Sequence, residues 1–472
     1  MVARGERTQT ELFVIGAGPG GYVAAIRAAQ LGREVMLVER EAYGGTCLNY
    51  GCIPSKSLIT AGNRVEWARD GGEMGIGADV SVDFGQLIGW KDDVVDRLTS
   101  GVESLCKQAG VTLVDGRAVF VDESTAQIIY DDGNEDAETV DFDHAIIATG
   151  SSTIEIPSLP FEEERILDAR QALDLESVPD HLLVVGAGYI GMELATAFRK
   201  LGADVTVVEM LNEVLPQYEE KLTRVVHERA EELGVEFKFG RRATDYRLDN
   251  DAIHVEIESD SSNVAEVAAD RTLVAVGREP ISGSVEPDAA GIEVDNDGFI
   301  PTDDFGRTET DSIYAIGDVA GEPLLAHQAM YEGQVVAEVI TGEPAALDAR
   351  AVPAVVFTDP EIAVVGMTES DAADAGFEPI VGEIPLASIG RTLTLDYTSG
   401  FVRVVADSET EIILGAQLVA PEASELVGEL GLVVEMSATL TDVAKTIHTH
   451  PTLSEAITEA AEDALGRAIH TP

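Results

Sequence analysis

Cys47 and Cys52 stand five positions apart in Gly44-Gly45-Thr46-Cys47-Leu48-Asn49-Tyr50-Gly51-Cys52-Ile53-Pro54-Ser55-Lys56. Two thiols this close can take part in thiol–disulfide exchange, in which a thiolate attacks a sulfur–sulfur bond. In a regular helix, residues i and i+5 rise about 7.5 Å and lie about 140° apart around the axis. Their Cα atoms would then be about 8 to 9 Å apart, beyond the roughly 7 Å at which a bridge closes. If the pair bonds, the segment is irregular: Gly51 frees the backbone, and Pro54 removes a donor and restricts Ile53. A strained, accessible bridge is the easily reduced kind. Two buried structural cysteines are the alternative, the commoner fate of a lone cysteine.

The surroundings of the pair favour chemistry, because an internal repeat frames them. Gly16-Ala17-Gly18-Pro19-Gly20-Gly21 and Gly186-Ala187-Gly188-Tyr189-Ile190-Gly191 each follow an apolar run (Leu12 to Ile15; Leu182 to Val185) and open a helical stretch. A second apolar run ends in an acid in each copy, at Glu39 and Glu209, both 23 residues after the first glycine. These are dinucleotide-binding fingerprints: the glycines allow a tight turn and let backbone approach a pyrophosphate held at a helix N-terminus, and the acid accepts a ribose hydroxyl. Glu209 would repel a 2′-phosphate, and no arginine cluster follows it in Met210-Leu211-Asn212-Glu213, so the second site is expected to prefer NAD over NADP.

Over nearly its whole length the chain resembles the pyridine nucleotide–disulfide oxidoreductase family, most closely its dihydrolipoamide-oxidising branch. Besides the cysteine segment and the fingerprints, the resemblance rests on Ala148-Thr149-Gly150, Val276-Gly277-Arg278, Tyr314-Ala315-Ile316-Gly317-Asp318 and His448-Thr449-His450-Pro451-Thr452-Leu453-Ser454-Glu455, in the family's order. It implies an α/β fold with two Rossmann-like FAD- and NAD-binding domains and a C-terminal α+β dimerisation domain. The expected division is 1–150 for FAD, 151–278 for NAD, 279–349 as a central domain completing the FAD site, and 350–472 as the interface domain. It implies that protein-bound dihydrolipoamide is oxidised to lipoamide, with electrons passing through Cys47–Cys52 and FAD to NAD+.

The family's site residues carry over position by position. Gly16, Gly18, Gly21, Glu39, Thr46, Lys56, Ala118, Thr149, Gly150, Asp318 and Ala326 match FAD contacts, with His327 beside the last; Gly186, Gly188, Gly191, Glu209 and Gly277 match NAD contacts. Ile281 stands where the family usually has Asn. Lys56 and Glu193 resemble a pair near the flavin ring, where a cation favours the anionic reduced ring. His450 matches the proton acceptor: the exchange needs a base that works near neutral pH, and an imidazole suits it once an acceptor, here Glu455, fixes its tautomer. In the family this segment reaches the partner subunit's disulfide, so an isolated monomer would lack a complete site. Relatives of the glutathione reductase type carry arginines for NADP and a different sequence after the second cysteine; mercuric reductases add a terminal cysteine pair, and no cysteine follows Cys106 here. The implied partners are a second copy and a lipoylated acyltransferase or other lipoyl-carrying protein of a 2-oxoacid dehydrogenase or glycine-cleavage type system. A dimeric assembly subunit docking on such a core, with catalysis secondary, is the competing reading.

Composition agrees. A chain of 472 residues with 45% hydrophobic content can fill several cores. No apolar stretch of membrane-spanning length and no secretory signal stands out, so a cytoplasmic protein is expected, with no membrane and no metal. Three cysteines suit a catalytic pair plus a spare Cys106 packed on a helix in a reducing compartment. The 86 acidic and 31 basic side chains give a formal net charge of −55, spread along the chain. Such self-repulsion disfavours nucleic acid as a partner and is relieved by screening, the pattern of a halophilic protein. A helix is expected near Ser81 to Ala109, followed by antiparallel strands near Val111 to Tyr130 with a turn at Asp131-Asp132-Gly133-Asn134. A strand-rich insertion is expected around Phe237 to Glu258, and strands alternating with helices after residue 350.

Overall fold

A computed structural model describes residues 7–72, 74–130, 137–249 and 251–470; the turn expected at Asp131 to Asn134 lies outside the described residues. Two parallel sheets built on the same plan organise the chain. In the first, the parallel order is Thr112–Asp115, Val35–Glu39, Arg7–Ile15, Glu138–Ile147, Ile313–Ala315. In the second it is Val235–Lys238, Asp204–Val208, His181–Val185, Arg271–Val274, Ile166–Leu167. The central strands read as unbroken apolar runs because both faces are covered, one by helices and the other by antiparallel strands: Leu12, Phe13 and Val14, like Leu182, Leu183 and Val184, are fully buried.

Each sheet carries an antiparallel three-stranded extension. Arg117–Asp122 pairs with Thr125–Ile129, which pairs with the first half of Glu138–Ile147, and Arg241–Leu248, Ile253–Ser259 and Val264–Ala269 form the second. The sequence reading of an antiparallel strand just after Val111 needs correction. Thr112–Asp115 runs parallel to Val35–Glu39, because the helix Phe84–Ala109 carries the chain back to the same end of the sheet, as a crossover connection must.

The chain crosses between the lobes at the paired strands Ser151–Thr153 and Arg278–Pro280. After the second crossing it returns to the first lobe, where Ile313–Ala315 completes the sheet and the helix Ala326–Thr341 packs on the fingerprint helix Pro19–Gln30. A third, antiparallel sheet of Ala354–Val356, Glu361–Gly366, Ile413–Ala420, Phe401–Asp407 and Pro379–Pro385 has the helices Ala423–Glu435 and Glu455–Ala464 packed against it. Among the described residues no helix is long and apolar enough to cross a membrane.

Candidate active site

The two fingerprints fold into the same local object. Gly16 and Gly186 sit at φ +99° and +105°, with Ala148 O and Ala275 O each 2.4 Å from where a Cβ would stand, so both turns require glycine. Glu39 accepts the Ala17 amide at 2.7 Å and Glu209 accepts the Ala187 amide at 2.8 Å. The second carboxylate oxygen of each accepts an amide two residues on, from Glu41 and Leu211. The acids are therefore aimed back at the glycine turns by backbone donors.

The third glycines differ in role from the others. A Cβ on Gly21 or Gly191 would lie 1.9 or 2.0 Å from the carbonyl of Gly16 or Gly186, so these positions press helix against strand. Neither lies on the wall of the main cleft. Gly18 and Gly188 have no protein atom within 4 Å of such a Cβ; packing leaves them free, and Gly18 faces the cleft. A ligand that must touch backbone fits that bare surface.

The cleft, about 1620 Å³ including solvent at its mouth, starts from this first fingerprint. Its wall contains Gly16, Gly18, Glu39, Thr46, Ala118, Thr149 and Gly150, and then Asp318 and Ala326 from the returning segment. Cys47, Cys52, Lys56 and Glu193 lie on the same wall. One cleft thus joins a dinucleotide turn to the redox pair, and its donor set fits a dinucleotide carrying a redox ring. His327 is absent from the wall and its Nε2 meets the Pro353 carbonyl at 2.7 Å. Ile281 lies on the wall; its main chain takes the Thr149 hydroxyl at 2.8 Å and donates to the Gly150 carbonyl at 2.9 Å.

The cysteine segment is a helix Gly45–Asn49, a break at Tyr50 and Gly51, and a second helix Cys52–Arg69. Gly51 is the irregularity expected there. Pro54 is not: it sits in the first turn of the second helix, where an amide has no helical acceptor, so helix begins through it and Ile53 is helical. The helix Gly45–Asn49 lies against the fingerprint, with Gly44 donating to Ala17 O at 2.8 Å and a Cβ on Gly45 falling 2.6 Å from Gly18 Cα.

Both cysteines are free thiols here, Cys47 half-buried and Cys52 open to the cleft. The hydrogen bond from Cys47 to Cys52, aided by Lys56 and the amide of Cys52 itself and opposed by burial, lowers Cys52 to about 7. The same bond, with burial, pushes Cys47 well above the ordinary thiol range. A thiolate at the start of an 18-residue helix also has the favourable end of the helix dipole. Cys106 is fully buried and raised to about 11 by desolvation, an inert packing residue.

Lys56 donates to Glu193 Oε2 at 2.8 Å, and Glu193, 3% exposed, accepts the Phe357 amide on Oε1 at 2.9 Å. The Lys56 ammonium also lies 4.4 Å from the centre of the Phe357 ring. The helix Tyr189–Leu201 brings Glu193 to the cysteine helix, a close approach allowed at Gly62, whose Cβ would stand 3.3 Å from Ala197 O. Sequence reasoning missed Phe357, which no local motif marks. It also left Ser151 unassigned: this buried hydroxyl donates to Asp318 and is gripped by Arg278 at 2.8 Å (Nε to Oγ) and 2.6 Å (Nη2 to the carbonyl). The Val276-Gly277-Arg278 motif was the available signal, and it is Arg278, not Gly277, that reaches the wall. Tyr189, on the same wall, is raised to about 12 by burial.

His450 and Glu455 lie elsewhere. His450 Nδ1 meets Glu455 Oε1 at 2.8 Å, Glu455 Oε2 accepts the Thr452 amide at 2.8 Å, and the imidazole is 77% exposed and off the cleft wall. Burial raises the Glu455 carboxyl, but the Thr452 amide and His450 outweigh it and leave it lowered, a fixed anion at the ring's Nδ1. His448 is the structural histidine of the segment, held by Glu429 at 2.8 Å and Thr458 at 2.7 Å. Glu209, Gly186, Gly188 and Gly191 likewise lie on the second lobe, off the cleft wall.

Comparison with known proteins agrees with this geometry. Residues 10–333 match the family described as pyridine nucleotide-disulphide oxidoreductase, and residues 352–461 match the dimerisation domain of that family. Dihydrolipoyl dehydrogenase 2 of Haloarcula marismortui is 57% identical over 471 residues, covering 100% of both chains. Dihydrolipoyl dehydrogenase of Haloferax volcanii is 56% identical over 472 residues, covering 100% of this chain and 99% of the relative. The crystal structure of LpdA from Mycobacterium tuberculosis superposes with a TM-score of 0.89 at 28% identity, over 96% of this chain and 99% of that one. A shared fold, a doubled dinucleotide turn, a redox cysteine pair on one cleft and full-length identity above one half converge: the chain belongs to the pyridine nucleotide-disulphide oxidoreductase family.

Proposed function

We propose that the protein is a dihydrolipoyl dehydrogenase, which oxidises protein-bound dihydrolipoamide to lipoamide as a homodimer using FAD and NAD+. The observation that carries this reading is the Cys47/Cys52 pair, with Lys56, on the same cleft wall as the first fingerprint. FAD fits the cleft through Gly16, Gly18, Glu39, Thr46, Lys56, Ala118, Thr149, Gly150, Asp318 and Ala326; NAD+ fits the second lobe through Gly186, Gly188, Glu209 and Gly277. The chain divides as 1–150 for FAD, 151–278 for NAD, 279–349 completing the FAD site and 350–472 at the interface. When bound, FAD supplies the two-electron relay between the dithiol and NAD+.

The residues do the rest. His450, its Nδ1 held by Glu455, takes the proton of one substrate thiol on Nε2. The resulting thiolate attacks Cys47, forming a mixed disulfide, while the Cys47–Cys52 bond breaks and its electron pair goes to Cys52. Cys52 is the better leaving group because its thiolate is the stabilised one. The second substrate thiol then attacks the mixed disulfide, closing lipoamide, and its proton passes to the departing Cys47 sulfur, while the first proton stays on His450 until it is released to solvent. The result is the Cys47 thiol donating to the Cys52 thiolate, the arrangement described above.

Because His450 stands exposed and away from the cleft of its own chain, it serves the partner's Cys47–Cys52 pair. Mixed dimers test this. Cys47→Ser and His450→Gln homodimers should each be inactive with FAD retained, and dimers re-formed from both should regain turnover at the one site that has both residues. Mixed dimers as inactive as their parents overturn the cross-subunit site. The physiological partner is a lipoyl-carrying acyltransferase or related carrier. The acidic excess and two haloarchaeal relatives support work in a salt-rich cytoplasm.

A further inference from the structure

The short helix Ala169–Leu173 reaches from the second lobe to the cleft and is held at both ends. Asp168 accepts the Gln171 amide at 2.7 Å while the Gln171 side chain accepts the Asp168 amide at 2.9 Å. At the far end, Lys91 from the long helix Phe84–Ala109 donates to the Leu173 carbonyl at 3.0 Å and to Asp174 at 2.9 Å, with its side chain only 3% exposed. A buried lysine spent on closing five residues of helix marks that helix as a fixed support. Ala169 and Leu173, one turn apart, are part of the cleft wall.

Arg170 projects from this support onto two other wall residues. Its guanidinium carbon lies 3.6 Å from the centre of the Tyr50 ring, and Nη1 lies 3.4 Å from Glu41 Oε2. Tyr50 is the first residue of the break between the two cysteine helices; Glu41 stands just past Glu39. Arg170 and Glu41 are both about half exposed, at 47% and 48%, so their ion pair adds little. The planar contact with Tyr50 dominates, and it needs a guanidinium rather than an ammonium.

We propose that Arg170 is a positioning residue for the redox pair: by pressing Tyr50 against the second lobe it fixes the Tyr50–Gly51 break, and so the separation at which Cys47 and Cys52 close. The main chain of the break has two local tethers, Tyr50 N–H to Thr46 O and Ser55 N–H to Gly51 O, and both lie within the flanking helices' own turns. Neither fixes one helix against the other. The stack from a separate lobe does, and a fixed pair of sulfurs closes more readily than a loose one because less freedom is lost on closure.

The inference rests on the proposed function only in taking Cys47–Cys52 as a reversible disulfide. The FAD-loaded dimer is equilibrated in dithiothreitol buffers of graded oxidised-to-reduced ratio, quenched in acid, alkylated and weighed. One S–S bond closes as the other opens, with two electrons and two protons passing between the Cys47/Cys52 dithiol and dithiothreitol. Arg170→Ala should shift the balance toward the open dithiol by about three- to tenfold. Tyr50→Leu should give a similar shift, and the double variant no more than either alone. Arg170→Lys, which keeps the charge without the plane, should shift at least half as far as Arg170→Ala. Single variants within twofold of wild type, or fully additive shifts, overturn the proposal while leaving the function standing. A wild-type protein that never closes the bridge overturns the proposed function itself.

Discussion

Lys56→Met tests the electrostatics of the redox pair most directly. Lys56 follows Cys52 by one helical turn, a spacing that puts the two side chains roughly 6 Å apart, and it is among the groups that lower Cys52 to about 7. At that distance, an effective dielectric of about 20 to 40 gives an attraction of about 1.4 to 2.8 kcal/mol, or about one to two pH units. Cys52 opens onto solvent in the cleft, which favours the weaker figure. Removing the charge should therefore raise Cys52 from about 7 to about 8, cutting its thiolate fraction at neutral pH about fivefold. The assay is the pH dependence of iodoacetamide alkylation of the reduced FAD-loaded protein, read at Cys52 by peptide mass. Cys47, raised by its bond to Cys52, and buried Cys106 stay silent in that range. Lys56→Arg keeps the charge and should titrate near wild type. Coincident Lys56→Met and wild-type curves would refute the assignment of Lys56 to the thiolate. The linkage has a definite sign. Cys52 titrates lower folded than an ordinary thiol at 9.0, so its stabilisation of the reduced chain is complete above pH 9 and is lost as pH falls through 7, and Lys56→Met should shrink it.

Further outcomes follow from the fingerprints and the charge. Gly18→Ala, which meets no protein atom, should fold normally and lose FAD affinity, read by flavin release; Gly21→Ala, placed 1.9 Å from the Gly16 carbonyl, should lower the melting temperature, at a cost of about 3 kcal/mol. Equal melting points for the two would contradict the division between ligand space and packing. Glu209→Ala removes the anion that faces a 2′-phosphate and should narrow the preference for NAD+ over NADP+ by roughly tenfold in kcat/KM; an unchanged ratio counts against the acid's role. With a formal net charge of −55, the protein should gain melting temperature steadily from dilute buffer to molar KCl as repulsion is screened, and a flat melt would remove the salt adaptation.

The sequence determined whatever a few neighbouring residues can determine. A glycine turn before a helix, with an acid at the end of the next strand, is encoded within some twenty residues, and both copies were legible as cofactor turns because the backbone at Gly16 and Gly186 tolerates no other residue. The cysteine spacing required a break, and Gly51 supplies it. Local reading failed where the decision was not local. Pro54 suggests an interruption on its own, yet it is absorbed in the first turn of a helix that packs on the second lobe. Thr112–Asp115 carries no mark of its direction, which the helix before it and the sheet edge at Val35–Glu39 decide. Tertiary structure alone brought Phe357 to Glu193 and Lys56, Arg278 to Ser151 and Asp318, and Arg170 to Tyr50. It also set His450 apart from the cleft of its own chain. Turns and caps are settled by short-range sterics and hydrogen bonds, while the partner of a charge or ring more than a hundred positions away depends on how whole lobes pack.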